Sequence, residues 1–217
     1  MSIPLIGLYP IVDLDALARR GWDPLEFAER LLEIEPPALQ LRAKRASSRE
    51  TLRLLGGLGR LTRGTRTVLV VNDRADLAVL SDAGAVHVGQ DDLRLEEVRR
   101  IAPGLAVGVS THTPEELDRA LASRPDYVAF GPVFATASKE RADAPVGLAG
   151  LRTATLRARA HGVPLVAIGG IDESLLAVAG ELGIGAAVIG ALFPASGRLE
   201  DVAARAESLK SAYASGR

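Results

Sequence analysis

The chain has no cysteine, a single tryptophan, a single methionine and only 4% aromatic residues in 217. Without thiols there can be no disulfides, no thiolate metal centre and no cysteine nucleophile. An excess of one charge is also missing, since 26 basic and 27 acidic side chains leave a net charge of −1. Such a balance speaks against a face for polyanions, so no nucleic acid partner is expected and any phosphate site must be built locally. No apolar run approaches the roughly 18 residues of a membrane span, so no membrane association is expected. The opening Met-Ser-Ile-Pro-Leu lacks the basic and long apolar stretches of a secretory signal, which makes cytoplasmic the expected location.

What is present is a 47% apolar content, enough to bury one large core. Short apolar runs alternate with helical patterns along the whole chain. Ile6 to Val12 reads as a first strand, and Asp23-Pro24 opens a helix with Leu25, Ala28, Leu31 and Leu32 on one face. Ala38 to Leu41 is a second strand, and Ser48 caps a helix reaching about Gly59 with Leu52, Leu55 and Leu58 inward. The pattern repeats with strands at Val68 to Val71, Ala85 to Val88, Leu105 to Val109, Tyr127 to Phe130, Leu165 to Ile168 and Ala186 to Ile189. Helical periodicity fills the gaps at Ala75 to Ser81, Leu93 to Ile101, from Thr113-Pro114 onward, Ala149 to His161, Asp172 to Leu182 and Leu199 to Tyr213. Eight strand-helix units with strands apolar almost throughout predict a parallel sheet covered on its outside, hence an α/β fold: a single-domain TIM (β/α)8 barrel over residues 1–217.

In such a barrel chemistry sits where the strands end, so the residues following each strand are the candidates. These are Arg42 and Lys44, then Asn72 and Asp73, then Gln90, Asp91 and Asp92, then Ser110, then a long polar loop from Gly131 to Gly147, then Gly169-Gly170, then Gly190-Ala191. Arg42 and Lys44 alternate with Leu41 and Ala43 and can leave the strand on one face toward a phosphate group. Lys139 of the long loop would add a third positive charge. Asp73 and Asp92 follow strands expected to be neighbours, and hard carboxylate oxygens in that position suit Mg²⁺. The glycines after the last two strands suggest a second anion cradle, and two phosphate sites imply two phosphorylated substrates. Plainer roles exist for each: Asp73 or Asp92 as helix caps, Gly169-Gly170 as a tight turn, and His87 as a satisfied polar residue of the core with no zinc in view. Trp22 and Phe27 read as packing, His112 and His161 as surface or loop residues.

The segments Gln40-Leu-Arg42-x-Lys44, Val71-Asn-Asp-Arg74, His87-Val-Gly-Gln-Asp-Asp92, Gly108-Val-Ser110-x-His-Thr113, Phe130-Gly-Pro-Val-Phe-x-Thr136-x-Ser138-Lys139 and Ala167-Ile-Gly-Gly-Ile171 stand in the order and spacing of one family. Over nearly its whole length the chain resembles the thiamine phosphate synthases. That resemblance implies a barrel enzyme, a transferase, coupling hydroxymethylpyrimidine diphosphate to thiazole phosphate with Mg²⁺ to give thiamine phosphate and pyrophosphate. It implies that Gln40, Arg42, Lys44, Asn72, Ser110 and Lys139 hold the diphosphate and that Asp73 and Asp92 hold the metal. By the same match the pyrimidine lies near His87, and the thiazole phosphate lies by Thr136, Ser138, Gly170 and the Gly190-Ala191 loop. Arg42, Lys44, Ser110 and Lys139 would carry catalysis by stabilising the departing diphosphate, with closure of the long loop excluding water. Members commonly have Thr at the position of Ser138 and Ser at that of Gly190. A sister family of thiazole tautomerases shares the Asn-Asp-Arg triplet, but has His at the position of Pro132 and usually lacks Gly-Gln-Asp-Asp. A tautomerase-like paralogue and a non-catalytic thiamine-phosphate-binding regulator are the alternatives, with a homo-oligomer left open.

Overall fold

A computed structural model describes residues 5–81, 83–136 and 144–217 of the chain. Strands β1 (Gly7–Asp13), β2 (Ala38–Arg42), β3 (Val68–Asn72), β4 (Ala85–Val88), β5 (Ala106–Thr111), β6 (Tyr127–Phe130), β7 (Leu165–Ile168) and β8 (Gly185–Val188) close into a barrel in sequence order. All neighbours are parallel, and the pairing of β1 with β8 completes the ring. Two helices, α1 (Leu14–Ala18) and α2 (Pro24–Leu32), follow β1. One helix follows each later strand: α3 (Ser48–Thr62), α4 (Ala75–Leu80), α5 (Leu95–Ile101), α6 (Pro114–Ala122), α7 (Gly147–Ala160), α8 (Glu173–Glu181) and α9 (Val202–Ala214). The expected (β/α)8 architecture is therefore the observed one. No helix among the described residues is long and apolar enough to cross a membrane.

Local chemistry explains where helices begin. Asp23 accepts hydrogen bonds from the Leu25 and Glu26 amides ahead of Pro24, and Thr113 accepts from the Glu116 amide ahead of Pro114. For α3 the cap is Ser47, one residue earlier than the sequence pattern suggests, and the helix runs on to Thr62. That phase buries Thr51, Leu54, Leu55 and Leu58, spaced as one helical stripe, and leaves Leu52 only partly buried against the core. The short α1 is absent from the sequence reading. It exists because Asp13, the last residue of β1, accepts from the Ala16 amide at 2.8 Å and caps it.

Strand residues alternate between two cores. Outward-facing Leu8, Val12, Leu39, Leu41, Val71, Val86, Val107 and Val128 pack against the helices in the larger cluster. Inward-facing Tyr9, Ile11, Ala38, Val70, Ala85, Ala106, Tyr127, Ala129 and Val166 fill the barrel lumen. Small alanines on four of these positions leave room for the rings of Tyr9 and Tyr127, whose centroids lie 6.3 Å apart edge to face. Gly108 belongs to this arrangement, because a Cβ there would sit 2.0 Å from the Tyr127 ring. Trp22 and Phe27 pack as expected, together with Phe193, over which Arg20 stacks at 3.7 Å.

Candidate active site

The inward series does not stop with the core. One or two steps further along each strand it becomes polar: Ala38 leads to Gln40 and Arg42, Val70 to Asn72, Ala85 to His87, and Ala106 through Gly108 to Ser110. Parallel register keeps these residues level, with Asn72 beside His87, and His87 beside Gly108. The result is a cavity of about 330 Å³ at the C-terminal end of the barrel, lined by Gln40, Arg42, Asn72, His87, Ser110, Thr136, Gly170, Gly190 and Ala191 among others. Its volume suits a small molecule. Ile11, Ile168, Ile171 and Ile189 supply an apolar wall on the side of β7 and β8.

Lys44, Asp73 and Asp92 lie outside that lining, next to it. Lys44 Nζ forms an ion pair with Asp73 Oδ2, and the Asp73 side chain is 17% exposed. Asp73 caps nothing: α4 starts from Arg74 without a side-chain cap, and Asp73 itself has φ 64°, a left-handed conformation costly for a residue with a Cβ. Burial, with the neighbouring Asp92 carboxyl adding to it and Lys44 opposing both, holds the Asp73 carboxyl up at about 6. Asp92 also accepts from the Gly89 amide at 2.7 Å, which closes a tight turn in the loop after β4. The two carboxyls therefore converge, as the order of the strands suggests. Gln90 donates through its side-chain amide to the Ser110 carbonyl at 2.6 Å and ties that loop to β5. Arg74 turns away, toward Asp76 and Ser48.

His87 is a satisfied interior residue, 6% exposed. Its Nδ1 lies 2.9 Å from the Tyr127 hydroxyl and its Nε2 lies 2.8 Å from Ser110 Oγ. Tyr127 in turn lies 3.2 Å from the Tyr9 hydroxyl, and Gln40 Nε2 donates to that hydroxyl at 2.8 Å. Burial raises the pKa of both phenols above their ordinary value, so each keeps its hydrogen.

Across the cavity, Gly169 (φ 88°) and Gly170 (φ 66°) require glycine for backbone reasons alone, and a Cβ on Gly170 would meet Phe134 at 2.6 Å. Gly190 differs, since a Cβ there would meet nothing within 4 Å. It opens a three-residue 3₁₀ turn, Gly190–Leu192, and Arg205 donates to the Ala191 carbonyl at 2.9 Å. Ser138, Lys139, Arg141 and Asp143 lie outside the described residues.

Sequence reasoning overlooks Asp13, Tyr9 and Tyr127. Asp13 is 4% exposed and forms an ion pair with Arg42, its register partner on β2. A polar residue closing an otherwise apolar strand is the available signal for Asp13. The tyrosines sit inside apolar runs and read there as packing.

The chain matches the family model described as thiamine monophosphate synthase over residues 8–192. It is 41% identical over 198 residues to the thiamine-phosphate synthase of Chloroflexus aurantiacus, covering 90% of this chain and 88% of that one. The thiamine-phosphate synthase of Anaeromyxobacter dehalogenans is 40% identical over 213 residues, 97% of this chain and 89% of that one. Among solved structures, the thiamine phosphate pyrophosphorylase from Pyrococcus furiosus superposes with a TM-score of 0.82 at 33% identity, covering 97% and 96% of the two chains. A 3-hexulose-6-phosphate synthase at 21% identity and a TM-score of 0.63 shares the fold alone. A strand-end cavity with cationic and amide donors, a family match over residues 8–192 and relatives at about 40% identity together place the chain, an enzyme of transferase type, in the thiamine monophosphate synthase family.

Proposed function

We propose that the chain catalyses the Mg²⁺-dependent coupling of hydroxymethylpyrimidine diphosphate to thiazole phosphate, giving thiamine phosphate and pyrophosphate. The observation that carries this reading is the convergence of Gln40, Arg42, Asn72, His87 and Ser110 on one cavity, with Lys44, Asp73 and Asp92 at its edge. In this reaction the bond from the pyrimidine methylene carbon to the diphosphate oxygen breaks with its electrons on oxygen. The thiazole nitrogen then gives its lone pair to that carbon. The electron-rich aminopyrimidine carries the positive charge in between, so the protein has little proton transfer to perform and a departing polyanion to stabilise.

Arg42 is suited to that task, because a planar guanidinium held on one edge by Asp13 keeps donors for an anion. Asn72 and Ser110 add neutral donors, and Lys44 adds an ammonium. Lys139 and Ser138 enter through the sequence match alone. The isoleucine wall favours an aromatic ring and keeps water from the cationic intermediate. Gly170 and the Gly190-Ala191 turn offer backbone amides for the thiazole phosphate.

The donor set fits Mg²⁺. Asp73 and Asp92 bring two carboxyls together beside the Lys44 ammonium, and no group of three or more His, Cys, Asp or Glu side chains gathers among the described residues. Mg²⁺ takes one or two carboxylates and completes its shell with water and phosphate oxygens. Held by Asp73 and Asp92, it would neutralise charge on the leaving diphosphate. Incubation of purified protein with both substrates and Mg²⁺ tests the activity: thiamine phosphate and pyrophosphate should appear in equal amounts. No product under any divalent cation would refute it.

A further inference from the structure

The lumen holds a continuous polar chain that the coupling chemistry does not by itself require. It runs from Gln40 on β2 through Tyr9 on β1, Tyr127 on β6 and His87 on β4 to Ser110 on β5, with steps of 2.8, 3.2, 2.9 and 2.8 Å. Both of its ends, Gln40 and Ser110, line the cavity, whereas Tyr9 and Tyr127 are 2% and 0% exposed. Space has been cleared for it, since Gly108 alone permits the Tyr127 ring to lie where it does.

Each hydroxyl in the chain has one hydrogen to give, and a neutral imidazole has one N–H. The direction of one bond therefore dictates the direction of the rest. If the ligand over Ser110 is a fully ionised diphosphate, it can only accept, so the Ser110 hydrogen must point into the cavity. Ser110 Oγ then accepts from His87 Nε2–H, which leaves His87 Nδ1 to accept from the Tyr127 hydroxyl. Tyr127 accepts from Tyr9, and Tyr9 accepts from the Gln40 amide. The Gln40 nitrogen found against Tyr9 agrees with that sense.

We propose that Tyr127 is a positioning residue for the transferase reaction: it locks His87 in the Nε2–H tautomer and so presents the Ser110 hydroxyl as a donor to the anionic part of the substrate. The proposal rests on the proposed function, because it takes the ligand at Ser110 to be a diphosphate. Without the Tyr127 hydroxyl, His87 Nδ1 loses its donor, the hydrogen can move to that nitrogen, and Ser110 turns inward to satisfy Nε2. Loss of one hydrogen bond to a charged ligand is expected to weaken binding or turnover by about tenfold to a hundredfold.

The test is a double-mutant cycle of Tyr127→Phe and Ser110→Ala, read both as Mg²⁺-pyrophosphate affinity by calorimetry and as kcat and KM of the coupling reaction. Acting as one unit, Y127F should cost as much as S110A, and the double variant should be no worse than S110A. Losses that multiply, or a Y127F protein indistinguishable from wild type, overturn the proposal. A coupled cycle in pyrophosphate affinity with a silent coupling reaction would leave the chain standing and sink the proposed function instead. Nitrogen-15 NMR of the His87 ring in the wild-type protein with bound pyrophosphate needs no variant. Hydrogen on Nε2 only is the expected result, and hydrogen on Nδ1, alone or in addition, contradicts it.

Discussion

Asp13 and Arg42 face each other across the β1–β2 register and form an ion pair whose carboxylate is almost wholly buried, so the guanidinium is aimed by a residue that does not line the cavity. Asp13 uses its other oxygen to cap α1. Replacing Asp13 with Ala would strand a partly buried cation and remove a cap, at an expected cost of about 3–5 kcal/mol in unfolding free energy, measured by denaturant titration. Asp13→Asn keeps the cap oxygen but turns its amide donor toward the Arg42 guanidinium, so it should lose part of that stability and, in the folded fraction, raise the KM for the diphosphate substrate.

The pairing also marks where sequence reasoning reaches and where it stops. Strand ends, helix caps and the polar residues following β2 to β5 are legible because each depends on a local pattern, either period two or a cap spacing. Asp73 and Asp92 can be paired from sequence because they follow consecutive strands, which a parallel barrel places side by side. Tyr9 on β1 and Tyr127 on β6 lie 118 residues apart and meet only through barrel closure, whereas Asp13 and Arg42 end consecutive strands, and it is the aiming role of Asp13 that strand order does not reveal. A tyrosine in a buried strand has the same sequence appearance whether its hydroxyl is a relay or is merely satisfied. The cap of α3 falls on Ser47 and not Ser48 because two adjacent serines offer the same hydroxyl, and the buried stripe chooses between them.

Asp73 makes stability and metal binding depend on pH. Its folded pKa of about 6 lies above the unfolded value near 3.9, so its contribution to stability is fully present below the unfolded value and is lost as pH rises through about 6. In metal-free protein, Asp73→Asn should therefore gain stability relative to wild type as pH rises from about 4 to 8, by no more than about 2 kcal/mol after solvent screening. Mg²⁺ must displace the proton, so its affinity should fall as pH drops through about 6. Chemical denaturation and metal titration across this range check both.

Gly108 cannot carry a side chain without moving Tyr127, because the added carbon would lie 2.0 Å from the ring. Gly108→Ala is expected to destabilise the protein by about 1–3 kcal/mol or more through overpacking, seen as a lower thermal midpoint. Turnover of the folded fraction should fall with it, since the shifted ring would break the contact with His87.

Lys139 is assigned to the diphosphate on sequence match alone, and its variant tests that role. Lys139→Ala should lower kcat by about a hundredfold or more while leaving unfolding free energy nearly unchanged. Equal turnover by the two proteins would remove Lys139 from the reaction.

One cavity at the strand ends is assigned to a metal-bound diphosphate, and a crystal structure with Mg²⁺ and pyrophosphate decides the assignment. Pyrophosphate in contact with Gln40, Arg42, Asn72 and Ser110, with the metal ligated by Asp73 and Asp92, is the predicted result. Pyrophosphate bound elsewhere, or a metal touching neither carboxylate, would contradict it.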